Sequence, residues 1–284
     1  MLRKIYKFVI VEVIYNGHLQ ALSAGSVVVI ASKLLLNYKF DLSFFLLIYL
    51  VFQFIFYYDR YKDIIYDAIT NPERTSHIKL YSRKMPIILL SILLLVILGF
   101  LKYSNITSLI ASLIIMFLGV LYNTYFKKLT KIISLFKNFY VSSVYSLLVL
   151  FPYIYYHVEV SNLVTALIVL LLVFFGSLVN QIVLDSKDRK SDKKIGLKTL
   201  PVILGNEKSL KFMMQFTLTM SLFFLFVFLL LKSTPFLLIL LIMNLIYDLV
   251  MINLVISGNR IGYFLGASKF LSWFVVLSLL SVLV

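Results

Sequence analysis

Nine long apolar runs joined by short polar links set the limits on what this 284-residue chain can fold into. They lie at about 9–31, 43–58, 85–102, 106–125, 138–156, 162–184, 212–231, 235–256 and 261–283. A helix needs about 20 apolar residues to cross the hydrocarbon of a bilayer. The runs therefore predict an all-α polytopic membrane bundle, with about nine transmembrane helices around a central cavity. What remains between them is too short for a soluble domain, so residues 1–284 read as one membrane domain.

The chain carries 27 Lys and Arg against 12 Asp and Glu, a net charge of +15. Such a surplus can signal nucleic acid, but its placement argues for a membrane and no nucleic acid. With the amino end inside, 22 basic residues fall on one side of the nine spans. Four (Lys33, Lys39, Lys102 and Lys232) fall on the other, and Lys269 lies within the last span. Cytoplasmic loops attract this excess. The expectation is an integral protein of the cell (inner) membrane with its active site facing the cytoplasm. The basic start at Met1 to Lys7 is followed by no small-residue cleavage site, so no cleavable signal peptide is expected. There is no cysteine and only three histidines, which excludes disulfides and thiolate ligands and disfavours zinc or haem.

Half of the acidic residues sit in two short clusters, each at the end of an apolar run. The first holds Asp59, Asp63 and Asp67, and the second Asp185, Asp188 and Asp192. Spacings of three and four residues place carboxylates on one face of a helix. The topology puts the first cluster in the loop after span two and the second in the loop after span six, both on the same side. Like charges this close repel, and a divalent cation relieves them. Magnesium is suited, because it takes a few carboxylates together with phosphate oxygens and water. Solvated loop acids paired with neighbouring lysines would explain one cluster. Two clusters on one side of an acid-poor chain favour a shared metal site. Polar groups at depth are costly in lipid and so point to function. Asn180 and Gln181, one to two turns before Asp185, and Asn16 in span one are candidates for the cavity wall. Asp248 and Asn244 are weaker ones, and Glu12 reads as an interfacial residue.

These residues resemble the UbiA superfamily of intramembrane prenyltransferases. Its first motif runs Asn-x-x-x-Asp-x-x-x-Asp and then Asn-x-Pro-x-Arg. Asp63 and Asp67 match its aspartates, and Thr70-Asn71-Pro72-Glu73-Arg74 follows in similar register. Asp59 stands where the family usually has Asn. The second motif is an aspartate series leading into Gly-x-x-Thr-Leu-Pro-Val. Asp185, Asp188 and Asp192 precede Gly196-Leu197-Lys198-Thr199-Leu200-Pro201-Val202 here, ending at Leu204-Gly205. A Tyr-plus-basic element is similar to Tyr122 through Lys127, and Lys137-Asn138 stands where many relatives have Gly-Asn.

The resemblance implies a Mg2+-dependent enzyme. All six aspartates would hold metal, with Asp63, Asp67, Asp188, Asp192 and Lys127 catalytic. Arg74, Lys127 and Lys198 would grip the diphosphate of a polyprenyl donor. Asn16, Tyr122, Asn138, Asn180 and Gln181 would line the substrate cavity, and tyrosines such as Tyr61, Tyr66 and Tyr122 could face a carbocation. The acceptor would be hydrophobic: an aromatic quinone precursor or a membrane lipid. Two other readings stay open, a magnesium-dependent cyclase or hydrolase of prenyl diphosphates and a membrane transporter. The transporter is disfavoured because charge gathers at one face and few Gly or Pro interrupt the spans.

Overall fold

Apolar runs in lipid become helices because every backbone polar group must then be satisfied within the segment. The computed structural model describes residues 8, 11–13, 16–68, 71–231 and 235–279, and of Tyr66 and Asp67 the backbone alone. Its helices are α1 (His18–Leu36), α2 (Leu42–Lys62), α3 (Ile64–Asp67), α4 (Pro72–Lys79), α5 (Met85–Tyr103), α6 (Ile106–Thr124) and α7 (Phe136–Leu147). There follow α8 (Phe151–Tyr155), α9 (Leu163–Ile195), α10 (Leu200–Leu204), α11 (Asn206–Leu230), α12 (Pro235–Ile256) and α13 (Ile261–Leu279). Short 3-10 turns cover Ser82–Lys84 and Phe126–Lys131. No strand occurs among the described residues.

Eight of these segments are long and apolar enough to cross a membrane: α1, α2, Ser82–Tyr103, α6, α9, α11, α12 and α13. The run at 138–156 folds differently. It divides into α7 and α8, because Pro152 lacks an N–H and its ring collides with the carbonyl four residues back, at Leu148. Tightened bonds satisfy the backbone there, from Leu148 N–H to Tyr145 O, Val149 N–H to Ser146 O and Leu150 N–H to Leu147 O.

Three boundaries differ from expectation. The first spanning helix begins at His18 instead of 9, since Gly17 before it is left-handed (φ 89°), and it runs on to Leu36. The second acidic cluster lies not in a loop but on the last turns of α9, which continues to Ile195 and stops at left-handed Gly196 (φ 83°). At 33 residues α9 is about 50 Å long, well beyond the roughly 30 Å of hydrocarbon. The first cluster spans a break. Asp59 is on α2, Asp63 caps that helix, and Asp67 is on α3, so the three do not share one uninterrupted helical face.

Helix α1 packs against α2 and α13, and α9 against α7, α13, α11 and α12. Small residues allow this closeness. A Cβ at Gly25 of α1 would lie 2.8 Å from the Phe45 carbonyl of α2. Helices α5, α6 and α11 turn Leu98, Phe117, Leu222 and Leu229 outwards, as a lipid-facing surface requires.

Candidate functional site

The ends of α2 and α9 face each other across a cavity of about 750 Å³. Asp59 and Asp63 line one wall, and Asp185, Asp188 and Asp192 another. Arg60, Arg74, Lys127, Lys137, Lys187 and Arg260 stand among them. One to two turns back along α2 the lining becomes apolar, with Phe52, Ile55 and Phe56, and Val141 and Val144 on α7 and Leu184 beside Asp185 on α9 continue it, with Gln181 the polar exception. The cavity is charged at its mouth and greasy towards the bilayer interior.

Each carboxylate has a partner that aims it. Lys127, in the turn after α6, pairs with Asp63. Burial works to lower the Lys127 ammonium, but Asp59 and Asp63 outweigh it and hold the group above the ordinary lysine value, so it stays charged. Lys137 Nζ donates to Asp185 Oδ1 at 2.6 Å, and Asn138 Nδ2 donates to Asp185 Oδ2 at 2.7 Å. Asn71 Nδ2 donates to Asp188 Oδ1 at 2.8 Å. Thr199 Oγ1 donates to Asp192 Oδ2 at 3.3 Å, so the residues after Gly196 turn back onto the cluster they follow. Arg60 Nη1 donates to Asp59 Oδ2 at 3.1 Å, while its Nη2 reaches Gln20 Oε1 at 3.2 Å. The Arg60 pairing offsets the charge of the Asp59 carboxylate.

Other expected site residues are distributed unevenly. Gln181 and Tyr122 line the cavity, and Tyr122 stacks on Tyr140 at 5.1 Å. Asn180 does not line it. Consecutive helical residues point about 100° apart, and the Asn180 Oδ1 packs over Gly266 of α13 instead. Asn138 is fully buried behind Asp185 and acts on the cavity through that side chain. Asn16 is turned away, donating to Glu12 Oε2 at 2.8 Å and Tyr81 Oη at 2.5 Å. Lys198 is exposed and its side chain is not in the lining, whereas its backbone N–H bonds Thr130 O at 2.9 Å. Tyr61 is exposed and also outside the lining. The side chains of Asp67 and Tyr66, and Thr70, lie outside the described residues. Asp248 forms a buried ion pair with Lys269 at 2.7 Å, away from the cavity.

The sequence profile of the UbiA prenyltransferase family matches residues 20–260. The chain belongs to the UbiA prenyltransferase family. It is thus an integral membrane protein of the prenyltransferase class. Solved structures share the fold. One, described as digeranylgeranylglyceryl phosphate synthase, is 22% identical, with 98% of each chain covered and a TM-score of 0.57. A UbiA homologue from Archaeoglobus fulgidus bound to GPP and Mg2+ is 16% identical over 94% of this chain and 99% of that one, with a TM-score of 0.63. The apo UbiA homologue from Aeropyrum pernix K1 is 12% identical over 93% and 98%, with a TM-score of 0.65. No curated protein sequence matches the chain.

Among the described residues no three His, Asp or Glu side chains converge into a ready-made metal cage. The donor set still fits magnesium. It is all carboxylate oxygen, spread over two walls of an open cavity, and this ion binds through one or two carboxylates plus phosphate oxygens and retained water. Lysines and arginines crowd this side of the chain, so its sequence does not set Lys137 and Arg260 apart as cavity-lining cations. Their signals were weak: Lys137 adjoins the motif residue Asn138, and Arg260 is the one basic residue between the last two spans.

Proposed function

We propose that this protein transfers a prenyl chain from its diphosphate to an aromatic or lipid acceptor, at the cytoplasmic face of the cell membrane and as a single membrane domain. One observation carries the reading: two aspartate sets meet across one cavity whose charged mouth continues into an apolar groove. That is the shape of an amphiphile with a polyanionic head and a hydrocarbon tail.

In this reading Asp63, Asp67, Asp188 and Asp192 are catalytic, with Asp59 and Asp185 completing the metal-binding carboxylates. Magnesium, when bound, supplies Lewis-acid neutralisation of the leaving diphosphate. Lys127 and Arg74 donate to diphosphate oxygens, and their fixed charge counts most as negative charge grows on the departing group. Lys137 and Asn138 hold Asp185 in a single orientation. Phe52, Ile55, Phe56, Val141 and Val144 take the tail and keep water from the reacting carbon. The ring faces of Tyr122 and Tyr140, both on the lining, would shield an allylic cation. Arg260 on the lining suits an acceptor that carries its own negative charge, either an aromatic acid or a phosphorylated lipid.

The test uses purified protein with magnesium, labelled geranylgeranyl diphosphate and a panel of aromatic-acid and glycerol-phosphate lipid acceptors. A prenylated acceptor is expected. Cyclised or hydrolysed donor as the sole product in the presence of every acceptor would replace transfer by the acceptor-free chemistry. Asp63→Ala and Asp188→Ala are expected to abolish turnover in a protein that still folds, and near-wild-type activity in either would overturn the assignment.

A further inference from the structure

Glu12 lies outside the cavity lining yet is the most heavily bonded carboxylate among the described residues. It accepts from Asn16 Nδ2 at 2.8 Å, Tyr57 Oη at 2.7 Å, His77 Nε2 at 2.6 Å, Tyr81 Oη at 2.9 Å and His18 Nε2 at 3.3 Å. These donors come from the approach to α1 and its first residue, from α2, from α4 and from the residue before the next turn. An interfacial anchor needs water, not five protein donors.

Helix α4 explains the investment. It has eight residues, far below the about 12–15 at which an isolated helix becomes even marginally stable. Of its buried side chains, Arg74, Thr75, His77 and Ile78, a single one is aliphatic, so polar ties fix where it lies. At its start Asn71 reaches across to Asp188 on α9. One turn on, Arg74 enters the cavity lining. At its far end His77, and then Tyr81, are held by Glu12. Asn71 and His77 are six residues apart, about 9 Å along the axis, so the helix is fastened at both ends. The Phe8 ring packs on His77 with centroids 4.5 Å apart and closes the rear anchor.

We infer that Glu12 is a positioning residue for donor binding: acting through His77 and Tyr81, it holds α4 so that Asn71 and Arg74 face the diphosphate. The inference rests on the reading of the cavity mouth as the diphosphate site. A carboxylate accepts at both oxygens, whereas Gln keeps one acceptor oxygen and turns the other into an N–H donor, so Gln retains part of the anchor and Ala none.

The experiment measures binding of magnesium pyrophosphate by calorimetry, and the split of KM for donor against kcat, in wild type, Glu12→Ala, Glu12→Gln, His77→Ala and Arg74→Ala. Loss of the rear anchor is expected to weaken pyrophosphate binding and raise donor KM about tenfold in Glu12→Ala and His77→Ala, the worth of one charge-assisted hydrogen bond. The value of kcat should stay within about threefold, and Glu12→Gln should fall between wild type and Glu12→Ala. Added to Arg74→Ala, Glu12→Ala should cost little more, because both act through one contact set. If Glu12→Ala fails to fold, Glu12→Gln and His77→Ala carry the same comparison. Unchanged pyrophosphate binding in His77→Ala and Glu12→Ala, or full multiplication with Arg74→Ala, would overturn the inference and leave the donor site standing. Wild type that binds no pyrophosphate would overturn both.

Discussion

Replacing Lys269 with Met should destabilise this protein more than any neutral change on its lipid-facing surface. Lys269 and Asp248 are each 0% exposed, on neighbouring helices α13 and α12. The ammonium donates to Asp248 Oδ1 at 2.7 Å and to the Gly176 carbonyl of α9 at 2.9 Å, and it lies 5.7 Å from the Trp273 ring. Lys269→Met strands the buried Asp248 carboxylate without its counter-charge. Removing one partner of a buried pair costs about 3–5 kcal/mol, which is roughly a hundredfold to several thousandfold in the folding equilibrium. Replacing both charges with apolar residues of similar volume is often neutral, so Asp248→Leu with Lys269→Met should regain most of the loss. The assay is reversible denaturant unfolding in mixed micelles, followed by helix content. Lys269→Met as stable as wild type, or a double variant less stable than Lys269→Met alone, would refute the reasoning.

Lys127→Met should lower kcat by about 10²–10³, as loss of one transition-state donor does, in steady-state assays with saturating donor. Glu12 feels burial, which raises its pKa, but the hydrogen bonds from His18, Tyr57, His77 and Tyr81 outweigh it and bring the carboxyl down to about 2 from 4.5. Its stabilising contribution is therefore complete above the ordinary value and is lost as pH falls from there through about 2. Melting temperatures of wild type should drop more steeply than those of Glu12→Gln between pH 5 and pH 2. Gly196→Ala should cost about 1 kcal/mol, read as a lower melting temperature, because the left-handed backbone at φ 83° disfavours a Cβ even with open space around it.

The spans were legible because apolar length is the dominant signal in lipid, and both aspartate clusters were legible because acids are scarce in this chain. What the sequence hid has physical reasons. Pro152 was visible, but the apolar residues around it masked the break that separates α7 from α8. The stretch after Asp185 is so charged that it reads as loop, although its Lys, Arg and Asp continue the helix until Gly196 stops it. Asn180 and Gln181 read as a pair, yet helical geometry lets one of them reach the cavity. Lys198 carries a motif position through its backbone bond to Thr130, which side-chain reasoning does not see. Lys137 lies 48 positions from its partner Asp185, and Glu12 65 from His77, and nothing local announces either pairing.

The excess length of α9 has its own consequence. A rod that outruns the oily slab by about 20 Å carries its acidic tip up to the level of the lipid phosphates. On the proposed function, a tail-anchored pyrophosphate ester would then be met where it already floats. Its anionic end keeps its hydration until the protein's own oxygens and cations replace it, and no charge has to be dragged down into oil.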